Sequence, residues 1–478
     1  MTTYRNIRGY TFTDFSHELE DLDRNHPHVV RRETETVYRD EFALEVIMNE
    51  YPIIYEQELE GWARSYYTLE GHMKAVLAYA TNDTQFTSLN TVIYTDAWLA
   101  VQNELRSLPI ARAFDVLTEL DQIHYEQPSS AGYDYIGPKG PIMGDNHKRA
   151  ISRAKATLWS AISIEDEGIA HVLKNSVPDV GYTRTQLTDL TEKTKVRGVW
   201  GRAFHYILLE GTTARPLLEN FIQGTTFFHI GDDPTLSVPR VMSEVSRDCK
   251  WLYAVDWSGF DSSVSRFEIE AAFDLIKERV EFPNFETEQA FEISRQLFIH
   301  KKIAAPDGRT YWSHKGIPSG SYYTSIIGSV INRLRIEYLW RLKFGRGPKR
   351  CYTQGDDSLL GDDELLHPDE LADLAAPYGW IINAEKTEYS TTPELVTFLG
   401  RTTRGGFNTR ELMRCLRLLV YPEYPVESGS ISAYRAQAIS DDCGNLSEII
   451  AVTARRLRRL YGMANEDTIP RYFLRYVP

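Results

Sequence analysis

Cysteine is scarce in this chain: Cys249, Cys351, Cys415 and Cys443 stand far apart, with no Cys-x-x-Cys and no histidine at ligand spacing. That excludes a disulfide framework and a cysteine-built zinc site, and it suits a reducing compartment. No apolar run approaches the ~18 residues of a membrane span. The N-terminal stretch MTTYRNIRGYTFTDFSHELEDLDRN lacks the apolar core of a secretory signal, so none is expected. Internal repeats and low-complexity tracts are absent too. Positive charge is in deficit, with 53 Lys and Arg against 67 Asp and Glu, a net charge of −14. By that sum alone a nucleic-acid partner is not expected.

The distribution of charge says more than the sum. Residues 1–60 hold 14 acidic and 6 basic side chains, whereas residues 401–478 hold 12 Arg, no Lys and 8 acids. Basic clusters occur at HKRAISRAK (His147 to Lys155), KTKVRGVWGR (Lys193 to Arg202) and RLKFGRGPKR (Arg341 to Arg350). An acidic exterior with basic inner channels has this pattern, and so does a solvated mixed surface. The 478 residues suffice for about three domain-sized units or one multi-lobed body. The 28 Tyr and 9 Trp serve core packing first and base stacking second.

Along the chain, the first ~125 residues read as mostly helical and acidic. A Gly-, Pro- and Ser-dense loop follows, EQPSSAGYDYIGPKGPIMGD (Glu126 to Asp145). WLYAV (Trp251 to Val255) is an apolar run of buried-strand length, and SRFEIEAAFDLIKERV after it has helical spacing. In GIPSGSYYTSIIGSVINRLRIEYLWRL a Gly-Pro-Ser-Gly loop runs into a long helix. Its apolar positions, from Tyr323 through Ile327, Ile331 and Leu334 to Tyr338, recur at three and four. Near the end, GNLSEIIAVTARRLRRLYG predicts a helix capped by Asn445 with Glu448 three later, and stopped by Gly462. Its four arginines, Arg455, Arg456, Arg458 and Arg459, lie off the apolar stripe and suit either a solvated face or a nucleic-acid surface.

The tripeptide Gly-Asp-Asp occurs three times, at Gly231–Asp233, Gly355–Asp357 and Gly361–Asp363. Only the middle copy has the setting for chemistry. Cys351 to Gln354 reads as a strand and Ser358 to Leu360 as its return, so a tight turn carries two carboxylates at a hairpin tip. The strand ending at Val255 delivers another carboxylate, Asp256. If the two strands are neighbours, Asp256 faces Asp356 across the ladder. Like charges so placed repel unless cations lie between them. Two Mg²⁺ ions about 4 Å apart would neutralise such a site, activate an attacking oxygen and stabilise a leaving pyrophosphate, as nucleotidyl transfer requires. Asp362 and Asp363 end the return strand ahead of a helix that starts near Pro368. Asp233, followed by Pro234, reads as a turn.

With these residues in hand, the chain resembles viral RNA-dependent RNA polymerases, those of partitiviruses most of all, over roughly Ser129 to Arg401. DWSGFD resembles the family's Asp-x4-Asp metal motif; the resemblance assigns Asp256 to metal and Asp261 to reading the incoming ribose 2′-OH. PSGSYYT resembles the Ser-Gly-x3-Thr loop and helix, giving Ser319, Gly320 and Thr324 as substrate-binding positions. QGDD gives Asp356 as metal ligand and Asp357 as a weaker one, and NAEKTE places Lys386 where relatives put the acid that protonates pyrophosphate. KTKVRGVWG resembles the motif whose Lys195 and Arg197 hold the triphosphate. SSAGY (Ser129 to Tyr133) resembles the template-entrance loop, and FLGR (Phe398 to Arg401) the primer-grip turn. One position departs. Many relatives carry Asn four residues after the Thr, where this chain has Gly328; Asn332, one turn on, is the remaining candidate beside Asp261 and Ser319 for the ribose.

The resemblance implies an α+β right-hand polymerase with an antiparallel β-sheet palm and a mostly helical remainder. Residues 1–125 would bridge fingers and thumb, 126–245 and 286–312 would form the fingers, 246–285 and 313–405 the palm, and 406–478 the thumb. It further implies two Mg²⁺, with Mn²⁺ able to substitute, and an RNA template and product with nucleoside triphosphates. The partner would be a viral capsid protein, with no membrane, and the place of action the virion interior or host cytoplasm of a double-stranded RNA virus. Two other readings stay open. A reverse transcriptase shares the carboxylate geometry but usually has Tyr-x-Asp-Asp, and a non-enzymatic RNA-binding protein would use the acidic triplets as turns.

Overall fold

The computed structural model describes residues 17–28, 37–83, 88–164, 167–192 and 196–474. Two sheets organise it. Their strands are, in chain order, β1 (Leu19–Asn25), β2 (Asp179–Arg184), β3 (Arg197–Gly201), β4 (Trp251–Ala254), β5 (Lys301–Ala304), β6 (Arg309–Ser313), β7 (Arg350–Gln354), β8 (Asp357–Asp362) and β9 (Glu388–Ser390). One sheet has the order β1-β6-β5-β2-β3, and the other, fully antiparallel, the order β7-β8-β4-β9.

The antiparallel sheet is covered on both faces, which is why β4 is apolar without a break. Leu252 and Leu359 face the helix Pro234–Asp248 through Val238, Met242 and Val245. Tyr253 and Leu360 face the largest core cluster, where Tyr253 meets Trp340 edge-on at 5.4 Å. Trp340 belongs to the central helix, Thr324–Phe344, in which every residue from Ile326 to Trp340 is buried. The apolar spacing predicted one buried stripe. The structure wraps the helix on all sides, and its polar residues bond internally: Arg335 pairs with Glu268, and Arg333 with Glu104 and Glu337.

The helix predicted after β4 is Arg266–Lys277, opened by a reciprocal capping box between Ser265 and Glu268. At the C-terminal end the predicted cap shifts by two residues. Ser447, not Asn445, accepts from Ile450 N and starts Glu448–Tyr461, and Gly462 ends it as expected. Asn445 instead turns the chain with φ 55°.

The N-terminal region is helical with strand interruptions. Helix Glu41–Glu50 packs on Leu412–Val420, Gly429–Asp442 and Glu448–Tyr461 in one shared core. The short strand Trp62–Arg64 pairs with Leu187–Asp189, and β1 adds to the edge of the five-stranded sheet. Residues early in the chain thus touch both the β2–β3 region and the C-terminal helices.

Candidate active site

The β7–β8 hairpin closes with a two-residue loop, Gly355–Asp356, since Gln354 pairs with Asp357. Gly355 takes φ 59°, the left-handed conformation that the first loop position of a tight hairpin requires. The tip is fastened to the central helix. Gly355 N donates to Ser329 Oγ at 2.9 Å, and Asn332 Nδ2 donates to Gly355 O at 2.9 Å and Asp357 O at 3.1 Å.

Asp256 follows β4, which lies beside β8 in register Leu360↔Tyr253. Continuing that register sets Asp256 opposite Asp357 rather than Asp356, because Asp356 occupies the turn. Val255 N donates to Ser358 Oγ at 3.2 Å and keeps the two chains together. On the other side, Asp256 N donates to Thr387 Oγ1 at 3.1 Å and Asn383 N donates to Asp256 O at 2.9 Å. This clamp sets Lys386, exposed on the Asn383–Thr387 turn, near enough to Asp256 for its charge to act on that carboxylate.

The three aspartates crowd one another. Loss of hydration raises the Asp256 pKa, with the Asp356 charge adding and Lys386 opposing. Asp357, open to water in the cleft yet hemmed in by protein atoms, is pushed up to about 6 by lost hydration and by Asp356 and Asp256. Asp261, on the short helix Phe260–Ser263, is likewise raised to about 6 by burial and by Asp356, against the pull of Arg197 and Lys301. Like charges held in one cleft are the signature of a site that expects cations. Among the described residues no group of three or more acidic, His or Cys side chains is placed to hold a metal ion together. Mg²⁺ needs only one or two carboxylates, the remainder coming from water and phosphate oxygens, so this donor set fits it.

The Ser319–Gly320 loop packs against β3. Ser319 Oγ accepts from Trp200 N at 2.9 Å, and Thr324 Oγ1 donates to Pro318 O at 2.6 Å. Gly320 is compulsory there, since a Cβ would lie 2.1 Å from the Trp200 carbonyl oxygen. Glu210, buried on the neighbouring helix Phe204–Gln223, accepts from Ser321 Oγ and Tyr322 N and pairs with Arg202 at 3.2 Å. Arg197, the first residue of β3, lies near enough to Asp261 for its charge to pull that carboxyl's pKa down. Lys195 lies outside the described residues. Ser129 and Ser130, at the start of the Ser129–Tyr133 loop, line a cavity of about 500 Å³ with Lys139, Tyr182, Arg215 and Gly320. At FLGR, Phe398 and Arg401 exchange backbone hydrogen bonds in a tight turn, and Arg401 pairs with Asp442.

One expected substrate contact is corrected. Asn332 is fully buried, and its amide is bonded to Trp257, Gly355 and Asp357, so it cannot reach a ribose. Sequence reasoning missed Thr387, Ser358, Ser329 and Glu210, which hold the site from behind. Ordinary hydroxyl and carboxylate residues carry no motif, so only the folded contacts reveal them.

The other triplets are accounted for structurally. Asp362 is buried at the far end of β8, where Arg346 grips it with two bonds of 2.7 and 2.8 Å and Trp340 Nε1 adds a third. Asp363 pairs with Lys349. Asp233 does not merely turn the chain: it caps the Pro234–Asp248 helix by accepting from Thr235 N at 2.9 Å, while Asp232 pairs with Arg240.

The sequence profile described as viral RNA-dependent RNA polymerase matches residues 38–457. The chain belongs to this family. The resemblance set out from the motifs is therefore borne out at family level. An RNA-directed RNA polymerase of Cryptosporidium parvum virus 1 is 28% identical over 156 residues, 30% of this chain and 29% of that protein. One from Atkinsonella hypoxylon virus is 32% identical over 133 residues, 25% of this chain and 20% of that one. The chain thus spans under a third of the length of these relatives. Among solved structures, the RNA-dependent RNA polymerase of a human picorbirnavirus gives a TM-score of 0.65 at 16% identity, covering 89% of this chain and 87% of that one. The Sicinivirus 3Dpol RNA-dependent RNA polymerase gives 0.68 at 14% identity, covering 92% and 95%. The chain therefore has the right-hand fold of these structures.

Proposed function

We propose that this chain catalyses templated RNA synthesis, joining an RNA 3′-OH to the α-phosphate of a nucleoside triphosphate with release of pyrophosphate. The observation that carries this reading is the meeting of Asp256 with the Asp356–Asp357 hairpin tip, beside Asp261, Arg197 and the Ser319–Gly320 loop. In this reading the β7-β8-β4-β9 sheet is the palm, strands β2, β3, β5 and β6 with Phe204–Gln223 belong to the fingers, and the helices from Leu412 onward form the thumb. Residues 1–125 bridge fingers and thumb.

Asp256, Asp356 and Asp357 would hold two Mg²⁺, or Mn²⁺ in their place. Bound there, the ions would neutralise the site, sharpen the attacking oxygen and stabilise the charge that develops on pyrophosphate. Arg197, with Lys195, would hold the triphosphate by charge-assisted hydrogen bonds. Asp261 and Ser319 would read the 2′-OH, and Thr324 would keep the Ser319 loop in place. Lys386, exposed beside Asp256, would donate the proton that the leaving pyrophosphate needs. The cavity between the Ser129–Tyr133 loop and Gly320 suits a template strand, with Lys139 and Arg215 facing its phosphates. The partitivirus resemblance supports replication and transcription of a double-stranded RNA genome, with capsid protein as partner in the virion interior or host cytoplasm. No described helix is long and apolar enough to cross a membrane.

Incubation with an RNA template, labelled ribonucleotides and Mg²⁺ tests the reading. We expect incorporation that chelation and Asp356→Asn both abolish. Equal use of deoxyribonucleotides would favour a reverse transcriptase, and no metal-dependent incorporation would favour a non-enzymatic RNA-binding protein.

A further inference from the structure

Asn332 is left without a ligand to read, yet its surroundings are more specific than packing requires. Its Oδ1 accepts from Trp257 Nε1 at 2.9 Å. Its Nδ2 donates to two carbonyls of the hairpin tip, Gly355 O and Asp357 O. Trp257 directly follows Asp256, and Gly355 and Asp357 flank Asp356. One amide on the central helix therefore ties together the two turns that carry the carboxylates. Trp257 is held in turn by the buried Arg335 guanidinium, 5.4 Å from its ring centroid.

We propose that Asn332 is a positioning residue that sets the separation of the Asp256 turn from the Asp356–Asp357 turn, and so the geometry in which the metal ions are held. The inference rests on the two-metal reading above. An amide is uniquely fitted to the task, because it accepts from an indole N–H while donating two protons to two carbonyls. Aspartate keeps the acceptor but turns a second oxygen toward two carbonyl oxygens. Leucine has a similar volume and keeps none of the three bonds. The two carboxylate turns stand on different strands, β4 and β8, whose ladder pairing ends at Tyr253 and Leu360. Beyond that point the Asn332 amide and Val255 N–Ser358 Oγ are cross-links that hold the turns at a fixed distance.

The test compares Asn332→Leu, Asn332→Asp and Trp257→Phe with the parent for kcat, nucleotide KM, the Mg²⁺ concentration at half-maximal rate, and the ribo-to-deoxyribonucleotide preference. For Asn332→Leu we expect kcat to fall on the order of 10- to 100-fold, the scale of a misplacement near 1 Å. The Mg²⁺ requirement should rise several-fold, while nucleotide KM at saturating Mg²⁺ and sugar preference stay at parent values. Trp257→Phe removes one of the three bonds and should shift the Mg²⁺ requirement in the same direction by less. The Asn332→Leu, Trp257→Phe double variant should be no worse in Mg²⁺ requirement than Asn332→Leu alone. A narrowed sugar preference would overturn the proposal in favour of ribose contact, and an unmoved Mg²⁺ requirement in folded variants would overturn it outright. If the Asn332 variants fail to fold, the Trp257→Phe shift decides, its absence counting against the tie. Asp256→Asn separates the two readings. Full activity there sinks the two-metal site and the tie with it, whereas loss there with no Mg²⁺ shift at Asn332 sinks only the tie.

Discussion

Asp362 and Asp356 have the same neighbours in sequence, a glycine before and an aspartate after, and differ in what faces their carboxylates. Burial alone would raise the Asp362 pKa, but hydrogen bonds from Arg346 and Glu364 N hold it below the ordinary value. It is a satisfied buried anion. It also stands five residues along β8 from Asp357, about 16 Å at ~3.3 Å per residue, too far to share a metal. Asp356→Asn is therefore expected to abolish synthesis, while Asp362→Asn with Asp363→Asn stays within several-fold of the parent. The second variant has a stability cost instead. Loss of the two-pronged Arg346 contact at a buried carboxylate should cost about 2–3 kcal/mol, reduced from the fully buried case because Arg346 is half exposed. Parallel incorporation assays and denaturant unfolding check both halves; a double variant as inactive as Asp356→Asn would contradict the assignment. The raised carboxylates give a second prediction. Asp357 and Asp261 keep protons in the folded state up to about pH 6, whereas unfolded aspartates release them near 3.8. The folded state binds more protons between those values, so these groups make the metal-free protein less stable as pH rises through that window. Mg²⁺ competes with protons for the Asp357 oxygens. Added Mg²⁺ should raise the melting temperature at about pH 8 and have little effect at about pH 5, and equal shifts at both would contradict the site.

The central helix shows why some of this was legible in the sequence and some was not. Its existence and its N-terminal loop could be read from spacing and from Gly-Pro-Ser-Gly, because local backbone preferences set them. So could the strand at Trp251–Ala254, the helix that follows it and the stop at Gly462. The burial of Ser329, Asn332, Arg333 and Arg335 could not, since each is paid for by a partner distant in the chain. The cap at Ser447 rather than Asn445 was a choice between two good capping residues that tertiary packing made. The helix and its loop also carry two glycines with opposite demands. A Cβ at Gly320 would overlap the Trp200 carbonyl, whereas at Gly328 the nearest atoms would be 3.6 Å and more away, in ordinary contact. Gly320→Ala should push the loop off β3, losing about 1–3 kcal/mol and most of the activity. Gly328→Ala should be neutral or stabilising by about 0.5–1 kcal/mol, since alanine costs less entropy in a helix. Unfolding midpoints of the two variants, measured together, separate these outcomes; equal losses would mean that the loop contact is not limiting.

At the scale of the whole molecule, the uneven charge of the sequence acquires a second meaning. The acidic first 60 residues and the arginine-rich end meet each other: Asp40 with Arg435, Glu58 with Arg417, and Glu50 with Arg456. Part of the C-terminal arginine content that could be read as a nucleic-acid surface is thus spent on joining the two ends of the chain. The Asp40 pair is the most enclosed. Asp40 is fully buried, caps Glu41–Glu50 by accepting from Ala43 N, and accepts from Ser432 Oγ and Arg435 Nη1. Its own N–H donates to Val420 O, and Arg435 donates further to the Leu418 and Leu419 carbonyls. Removing the carboxylate would leave a guanidinium buried without its counter-charge, which costs about 3–5 kcal/mol. The Glu50–Arg456 pair lies at the surface, where such pairs contribute about 0–1 kcal/mol and are screened by salt. Asp40→Ala should therefore lower unfolding free energy several times more than Glu50→Gln, and added salt should erase the second effect but not the first. Denaturant titrations at low and high salt measure this directly. A loss at Asp40 no larger than at Glu50 would mean that the apolar core around Leu44, Ile47 and Leu416, and not the buried ion pair, holds the two ends together.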